Sequence, residues 1–432
     1  MNTKLRLIIM NFLQFAIWGA YLTSMSRYLG PAGLGAHIGI FYSVQGIVSI
    51  FMPALVGIIA DRWVPAQKLL GICHALAGIF MITAGWYGIN AGNTVDFTTL
   101  FSFYTLSVAF YMPTLALSNS VAYNVLEQNG LDTVKAFPPI RVFGTIGFII
   151  SMWTVDLLGF QTTPIQFVFS GIIGLVLAVY AFTLPNCPVN KSVEKKSFVE
   201  AAGLNAFRLF KDKKMAIFFI FSMFLGVSLQ ITNGFANPFI SSFEAVNEYA
   251  NTFGVQHSNI LISLSQISET LCILLIPFFL RRFGIKTVML IAMFAWVIRF
   301  GFFGLGDPGS GVWLLVLSML VYGVAFDFFN VSGSLYVNKE TDHSIRSSAQ
   351  GLFMLMTNGI GATIGTLGAQ AVVNRYCQWT DVAVEGGTKS LLIGNWQAVW
   401  FIFAAYALVI AILFWILFRY KHVKEDVQEI KH

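Results

Sequence analysis

The sequence predicts an all-α membrane protein of twelve transmembrane helices, on three observations. Of its 432 residues 56% are hydrophobic and only 11% charged, with a mean hydropathy of +0.73. A soluble domain does not carry that balance. The apolar residues fall in continuous runs of about 20, the length that crosses a bilayer as a helix, without the two-residue alternation of barrel strands. Two acidic side chains, Glu269 and Asp327, lie inside such runs. A carboxylate there costs roughly 2.5–3.5 kcal/mol on insertion scales and marks a functional position.

Apolar runs between turn and charge clusters place the spans near 6–28, 37–60, 69–90, 99–123, 138–159, 163–184, 215–237, 257–280, 287–305, 311–335, 347–374 and 396–418. The first follows Met1-Asn-Thr-Lys-Leu-Arg and is long enough to span, with no small-residue cleavage site soon after it. It reads as an uncleaved helix rather than a signal peptide. Residues 1–184 then form one six-helix bundle and 215–418 a second. Between them, 185–214 carry Lys191, Lys195, Lys196, Arg208, Lys211, Lys213 and Lys214 and read as a cytoplasmic linker. Its 198–210 part has the apolar spacing of a helix lying on the membrane surface. Residues 419–432 are a cytoplasmic tail.

Orientation follows from charge. With both termini inside, cytoplasmic segments hold about 21 of the 26 Lys and Arg residues, as positive-inside bias requires. Arg27, Arg375 and Lys389 fall outside, and Arg141 and Arg299 fall within spans.

The net charge of +6 does not mark a nucleic-acid partner, because it is spread over inter-helix loops rather than gathered on one face. Cys73, Cys187, Cys272 and Cys377 are scattered without CxxC or His-paired spacing and read as free packed thiols, so no metal site is expected. No nucleotide-binding glycine loop or nucleophile–base pair stands out, so neither an enzyme nor a cofactor is expected.

Polar residues inside the spans form stripes. In the fifth, Arg141, Thr145 and Phe148 follow the i, i+4, i+7 spacing of one face, with Gly144 and Gly147 offering close approach on another. An arginine there presents five donors in a planar fork, suited to a carboxylate or a polar ring edge, unless it snorkels to the cytoplasmic end. In the seventh, Gln230, Asn233 and Asn237 share a face and supply both donors and acceptors. In the eighth, Gln266 precedes Glu269 by three residues; in the tenth, Tyr322 and Phe326 lead to Asp327. Side chains at this depth meet near the bilayer midplane, where secondary transporters hold substrate. A buried ion pair with Arg141 or Arg299 is the structural alternative for the two acids.

Arg299 reads as a structural residue able to neutralise a carboxylate, and His74 as a packing residue. Gln14 and Trp18 are candidates for a cavity lining. Gly359, Gly361, Gly365 and Gly368 suit close helix packing.

The Gly57-Ile-Ile-Ala-Asp61-Arg62 turn resembles the loop after the second helix of major facilitator transporters. Longer blocks are more specific: Phe137-Pro-Pro-Ile-Arg141-Val-Phe-Gly-Thr145, Leu229-Gln-Ile-Thr-Asn233, Ser265-Gln-Ile-Ser-Glu269-Thr and Ala325-Phe-Asp327-Phe-Phe-Asn330. Nearly end to end, the chain resembles a bacterial nucleoside permease of the nucleoside:proton symporter family, within the major facilitator superfamily. The resemblance implies two six-helix bundles and import of nucleosides with protons across the inner membrane by alternating access. Its substrate set falls on Arg141, Thr145, Phe148, Gln230, Asn233, Gln266, Glu269, Tyr322, Phe326 and Asp327. Some members prefer xanthosine and others accept many nucleosides such as uridine and adenosine; the motifs fit both.

On this reading Phe148, Tyr322 and Phe326 pack against the base, while Gln230, Asn233, Gln266 and Glu269 bond ribose hydroxyls and base edges. Asp327 is the first choice for the titrating carboxylate and Glu269 the second. The chain is expected to act as a monomer in the lipid bilayer. The Arg-x-Phe-Gly-x-x-Gly-aromatic block of the fifth span also resembles sugar permeases, which leaves a proton-coupled sugar symporter as the nearest rival. A non-transporting nutrient sensor is a more distant one.

Overall fold

The computed structural model describes residues 2–92, 94–189, 204–342, 345–384 and 387–420. The expected linker lysines Lys191, Lys195 and Lys196, the 198–203 part of the surface segment and the tail beyond 420 lie outside them, as does the Asp61 side chain. The chain divides into two compact units, Met1–Ala202 and Gly203–His432.

The first unit contains α1 (Thr3–Gly19), a short α2 (Met25–Leu29), α3 (Ile38–Arg62), α4 (Ala66–Ala91), α5 (Phe97–Gln128), α6 (Thr133–Leu157) and α7 (Ile165–Ala181). Small residues set how closely these helices pack. On α4, Gly78 faces the backbone of α7, where an added Cβ would meet the Gly171 carbonyl at 2.8 Å. On α6, Gly147 meets the α1 backbone at Phe12, and Gly19 of α1 meets that of Phe148. Lipid gives helices little hydrophobic reason to associate, so such contact is a main source of their attraction.

The second unit contains α8 (Lys213–Leu229), α9 (Ile231–Ser242), α10 (Ser258–Leu305), α11 (Val312–Glu340), α12 (Arg346–Met354), α13 (Ala362–Tyr376) and α14 (Trp396–Leu417). A π-helical stretch, Leu355–Gly361, joins α12 to α13. The 48 residues of α10 would extend about 72 Å if straight, far beyond a bilayer core of about 30 Å. The helix breaks at Gly284, whose φ of 77° and ψ of 168° suit only glycine. This break separates the expected 257–280 and 287–305 spans.

Among the described residues nine helices are long and apolar enough to cross a membrane. They differ from the twelve expected spans in three places. Both α1 and α7 have 17 residues, and α10 holds two expected spans on either side of the kink at Gly284.

Three local expectations need correction. The fifth span does not begin at Pro138: α6 starts at Thr133 and carries Pro138 and Pro139 inside it. Arg141 therefore lies about two turns into the helix rather than one. The seventh span, a single apolar run over Lys213–Ala245, is not regular throughout, because a turn at Gln230 separates α8 from α9. The fold is also not purely helical. Cys377–Val384 and Gly387–Gly394 pair as an antiparallel hairpin with Trp379 opposite Leu392. Lys389 on its second strand bonds the buried Glu244 at 2.7 Å.

Candidate functional site

The interior of the first unit is organised by amides and hydroxyls. Thr114 donates its hydroxyl to the Tyr111 carbonyl at 2.5 Å and accepts from Gln14 Nε2 at 2.8 Å. That fixes the Gln14 amide, so Oε1 must accept, and His74 Nε2, 2.7 Å away, must donate. Tyr111 donates its hydroxyl to the Gln14 carbonyl at 2.8 Å, closing the network. A second chain runs from Trp18 Nε1 to Gln45 Oε1 at 3.2 Å and from Gln45 Nε2 to the Tyr104 hydroxyl at 2.9 Å. Gln14 and His74 are fully buried. Gln14 thus fastens helices together instead of lining a cavity, and His74 is a bonded packing residue.

Arg141 and Phe148 occupy the α6 face turned toward α1. The Arg141 guanidinium carbon lies 3.8 Å from the centre of the Phe15 ring, and Gly144 leaves room for that ring. Stacking of a planar guanidinium on an aromatic face is worth about 0.5–2 kcal/mol, depending on desolvation. Phe148, 7% exposed, meets Trp18 edge to face at 6.4 Å, and Thr145 lies half-buried one turn from Arg141.

In the second unit the break at Gln230 has a local purpose. Asn233 Nδ2 donates to Gln230 Oε1 at 2.8 Å, so the two amides act as a pair at the interruption, both half-buried. Asn237 departs from them. It is fully buried, donates to Asn259 Oδ1 at 2.9 Å and accepts from Ser258 Oγ at 2.7 Å. It ties α9 to the start of α10.

Ionisable side chains gather where α10 meets α11. Ser268 Oγ donates to the Leu320 carbonyl, and Gly323 lies against the Ser268 backbone. Glu269 follows Ser268 on α10, and Tyr322 precedes Gly323 on α11. Tyr322, 8% exposed, lies with its ring centre 4.7 Å from the Arg299 guanidinium carbon, and Asp327 is 5% exposed. Phe326 stacks on Tyr322, with ring centres 5.6 Å apart and planes 8° from parallel. Gln266, one turn before Glu269, keeps a buried Oε1 with no hydrogen-bond partner, an acceptor available to a ligand.

Sequence reasoning missed two partners. Phe15 carries Arg141, and Arg299 lies over Tyr322. The signal for the first is the spacing of Phe15 and Trp18 on α1 opposite the small residues of α6. The second lacks a local signal, because Arg299 and Tyr322 lie 23 positions apart in sequence.

Helices of membrane-spanning length and apolarity, with arginine, carboxylates and stacked rings buried inside them, define a membrane transporter. The chain belongs to the Nucleoside H+ symporter family, whose model matches residues 1–423. It is 47% identical over 437 residues to the nucleoside permease NupG of Escherichia coli (strain K12), covering 100% of both chains. The xanthosine permease of the same organism is 46% identical over 436 residues, across 100% of this chain and 99% of that protein. A crystal structure of the nucleoside transporter NupG matches with a TM-score of 0.87 at 47% identity, over 98% of this chain and 100% of that one.

Proposed function

We propose that this protein imports nucleosides together with protons across a bacterial inner membrane by alternating access. Twelve spans in two six-helix bundles, both termini cytoplasmic and a monomeric unit belong to the same reading. Full-length similarity to a nucleoside permease and a xanthosine permease supports the substrate class. The observation that carries the chemistry is the Arg299 guanidinium over Tyr322, itself stacked on Phe326, on the two helices that hold Glu269 and Asp327.

Phe148, Tyr322 and Phe326 provide ring faces for the base, and base–aromatic stacking is worth about 1–3 kcal/mol per base. Gln230, Asn233, Gln266 and Glu269 supply donors and acceptors for ribose hydroxyls and heterocycle edges, with Arg141 and Thr145 contributing from α6. Asp327 takes up and releases the coupled proton, and Glu269 is second in line. A carboxyl group that exchanges apolar surroundings for a cationic partner changes its proton affinity, which links protonation to conformation. One proton moving down ~150 mV supplies roughly 3.5 kcal/mol, enough for a few-hundredfold gradient of a neutral solute.

The test is thermal stabilisation of the purified full-length protein by a panel of nucleosides, free bases and disaccharides, followed by uptake into vesicles under an imposed pH gradient. Stabilisation and gradient-driven uptake by nucleosides alone support the reading. Competition by disaccharides but not by uridine or adenosine would replace it with sugar symport.

A further inference from the structure

Arg299 is a fully enclosed cation, 2% exposed, and its surroundings are unusual for one. Its Nη1 donates to the Ser318 carbonyl at 2.6 Å and toward Ser265 Oγ at 3.4 Å, while Ser318 Oγ donates back to the Arg299 carbonyl at 2.8 Å. These bonds hold one edge of the guanidinium. Around it stand aromatic rings, with the guanidinium carbon 4.7 Å from the centre of Tyr322, 5.3 Å from Phe303 and 5.9 Å from Trp296. Trp296 also meets Tyr322 edge to face at 6.0 Å. Tyr322 is therefore held by a cation and an indole as well as by its stack on Phe326.

Burying an arginine is expensive, and helix packing alone is achieved elsewhere in this unit by glycine and serine. What an arginine adds is a flat cation fixed by hydrogen bonds, which sets the tilt of a ring beside it. We propose that Arg299 is a positioning residue for base recognition: it fixes the plane of Tyr322, and with it the Tyr322–Phe326 surface on which a heterocycle stacks, without touching the substrate. The inference rests on the nucleoside reading above. It makes base recognition depend on a guanidinium rather than on positive charge alone. An ammonium in its place keeps the charge but loses the plane and the fork.

A double-mutant cycle on the full-length protein tests this, with uridine affinity and proton-driven uptake as readouts. Arg299→Lys is expected to weaken uridine binding about tenfold, within the range of a desolvated cation–π contact. It should raise KM for uptake while leaving the maximal rate near that of the wild type. In a Tyr322→Leu background the same change should cost nothing further. Equal losses in both backgrounds, or wild-type affinity for Arg299→Lys, overturn the inference while leaving nucleoside transport intact. If Arg299→Lys does not fold, Ser265→Ala removes one guanidinium contact and keeps the charge. It should weaken uridine binding measurably beside Tyr322 and not beside Leu, and equal effects overturn the proposal. Wild-type protein that binds no nucleoside rejects the functional reading itself.

Discussion

The two units solve the problem of polar groups in an apolar interior in different ways. In the first, Gln14, His74, Thr114 and Tyr111 bond one another in a closed network. In the second, Arg299 lies over Tyr322, and Glu269 and Asp327 sit on the same two helices. A closed network of amides and hydroxyls fixes geometry, because breaking any member strands another. A cluster of ionisable groups is costly to keep, and inside a membrane it marks a functional position. On the proposed function, the first interior supplies shape and the second holds the carboxylate that carries the coupled proton.

The largest expected effect tests that division directly. Asp327→Asn should abolish pH-gradient-driven accumulation while nucleoside exchange between loaded vesicles survives. If accumulation is unchanged and Glu269→Gln removes it, the coupled proton belongs to Glu269. Next comes Arg141, a charged residue within a span of the first unit. Arg141→Ala should reduce uptake about tenfold or more, the scale of lost hydrogen bonds to a charged group. Wild-type rates would make it a snorkelling residue. Gln14→Leu should act on folding instead. Stranding His74 Nε2 costs about 1–3 kcal/mol for the unsatisfied donor. A lower thermal midpoint with an unchanged pH profile of transport is the expected result, and an altered profile would break the comparison.

Two smaller effects lie outside the membrane helices. Burial pushes the Cys377 thiol up to about 12, so maleimide should label it slowly. Lys389→Met, which releases the hairpin from Glu244, should speed that labelling. Asp96 caps α5, accepting from the Thr99 amide and hydroxyl, each at 2.8 Å, which holds its carboxyl below the usual range. A depressed folded-state value means the stabilisation is complete above the unfolded-state value and disappears as pH falls through the folded one. The melting temperatures of wild type and Asp96→Ala should therefore differ at neutral pH and converge in acid.

Much of the helical framework was legible because lipid imposes one rule on every span, and unbroken apolar runs announce it. Arg141, Glu269 and Asp327 were legible for the complementary reason, since a charge inside such a run demands explanation. What escaped depended on tertiary contact. Asn237 shares a stripe with Gln230 and Asn233 in sequence, yet its amide is bonded to Asn259 and Ser258. Its fate was decided by the start of α10 and by the break at Gln230 that ends the regular stripe. Pro138 and Pro139 read as a helix start because proline favours first turns, but the helix begins earlier, near its polar end. The hairpin after α13 has only short β-favouring runs, weak evidence beside so strong a helical pattern.

A helix interrupted at Gln230 behaves as a jointed rod. A continuous ladder of hydrogen bonds carries rotation stiffly from end to end, whereas a missing rung lets the outer segment tilt while the inner stays seated. In this protein α8 is seated against the π-helical stretch, with Gly226 on the Thr357 backbone, and α9 is fastened through Asn237 to the start of α10. The turn thus falls between two fastened segments and is spanned by the Gln230–Asn233 amide pair, which the proposed function uses for a sugar hydroxyl.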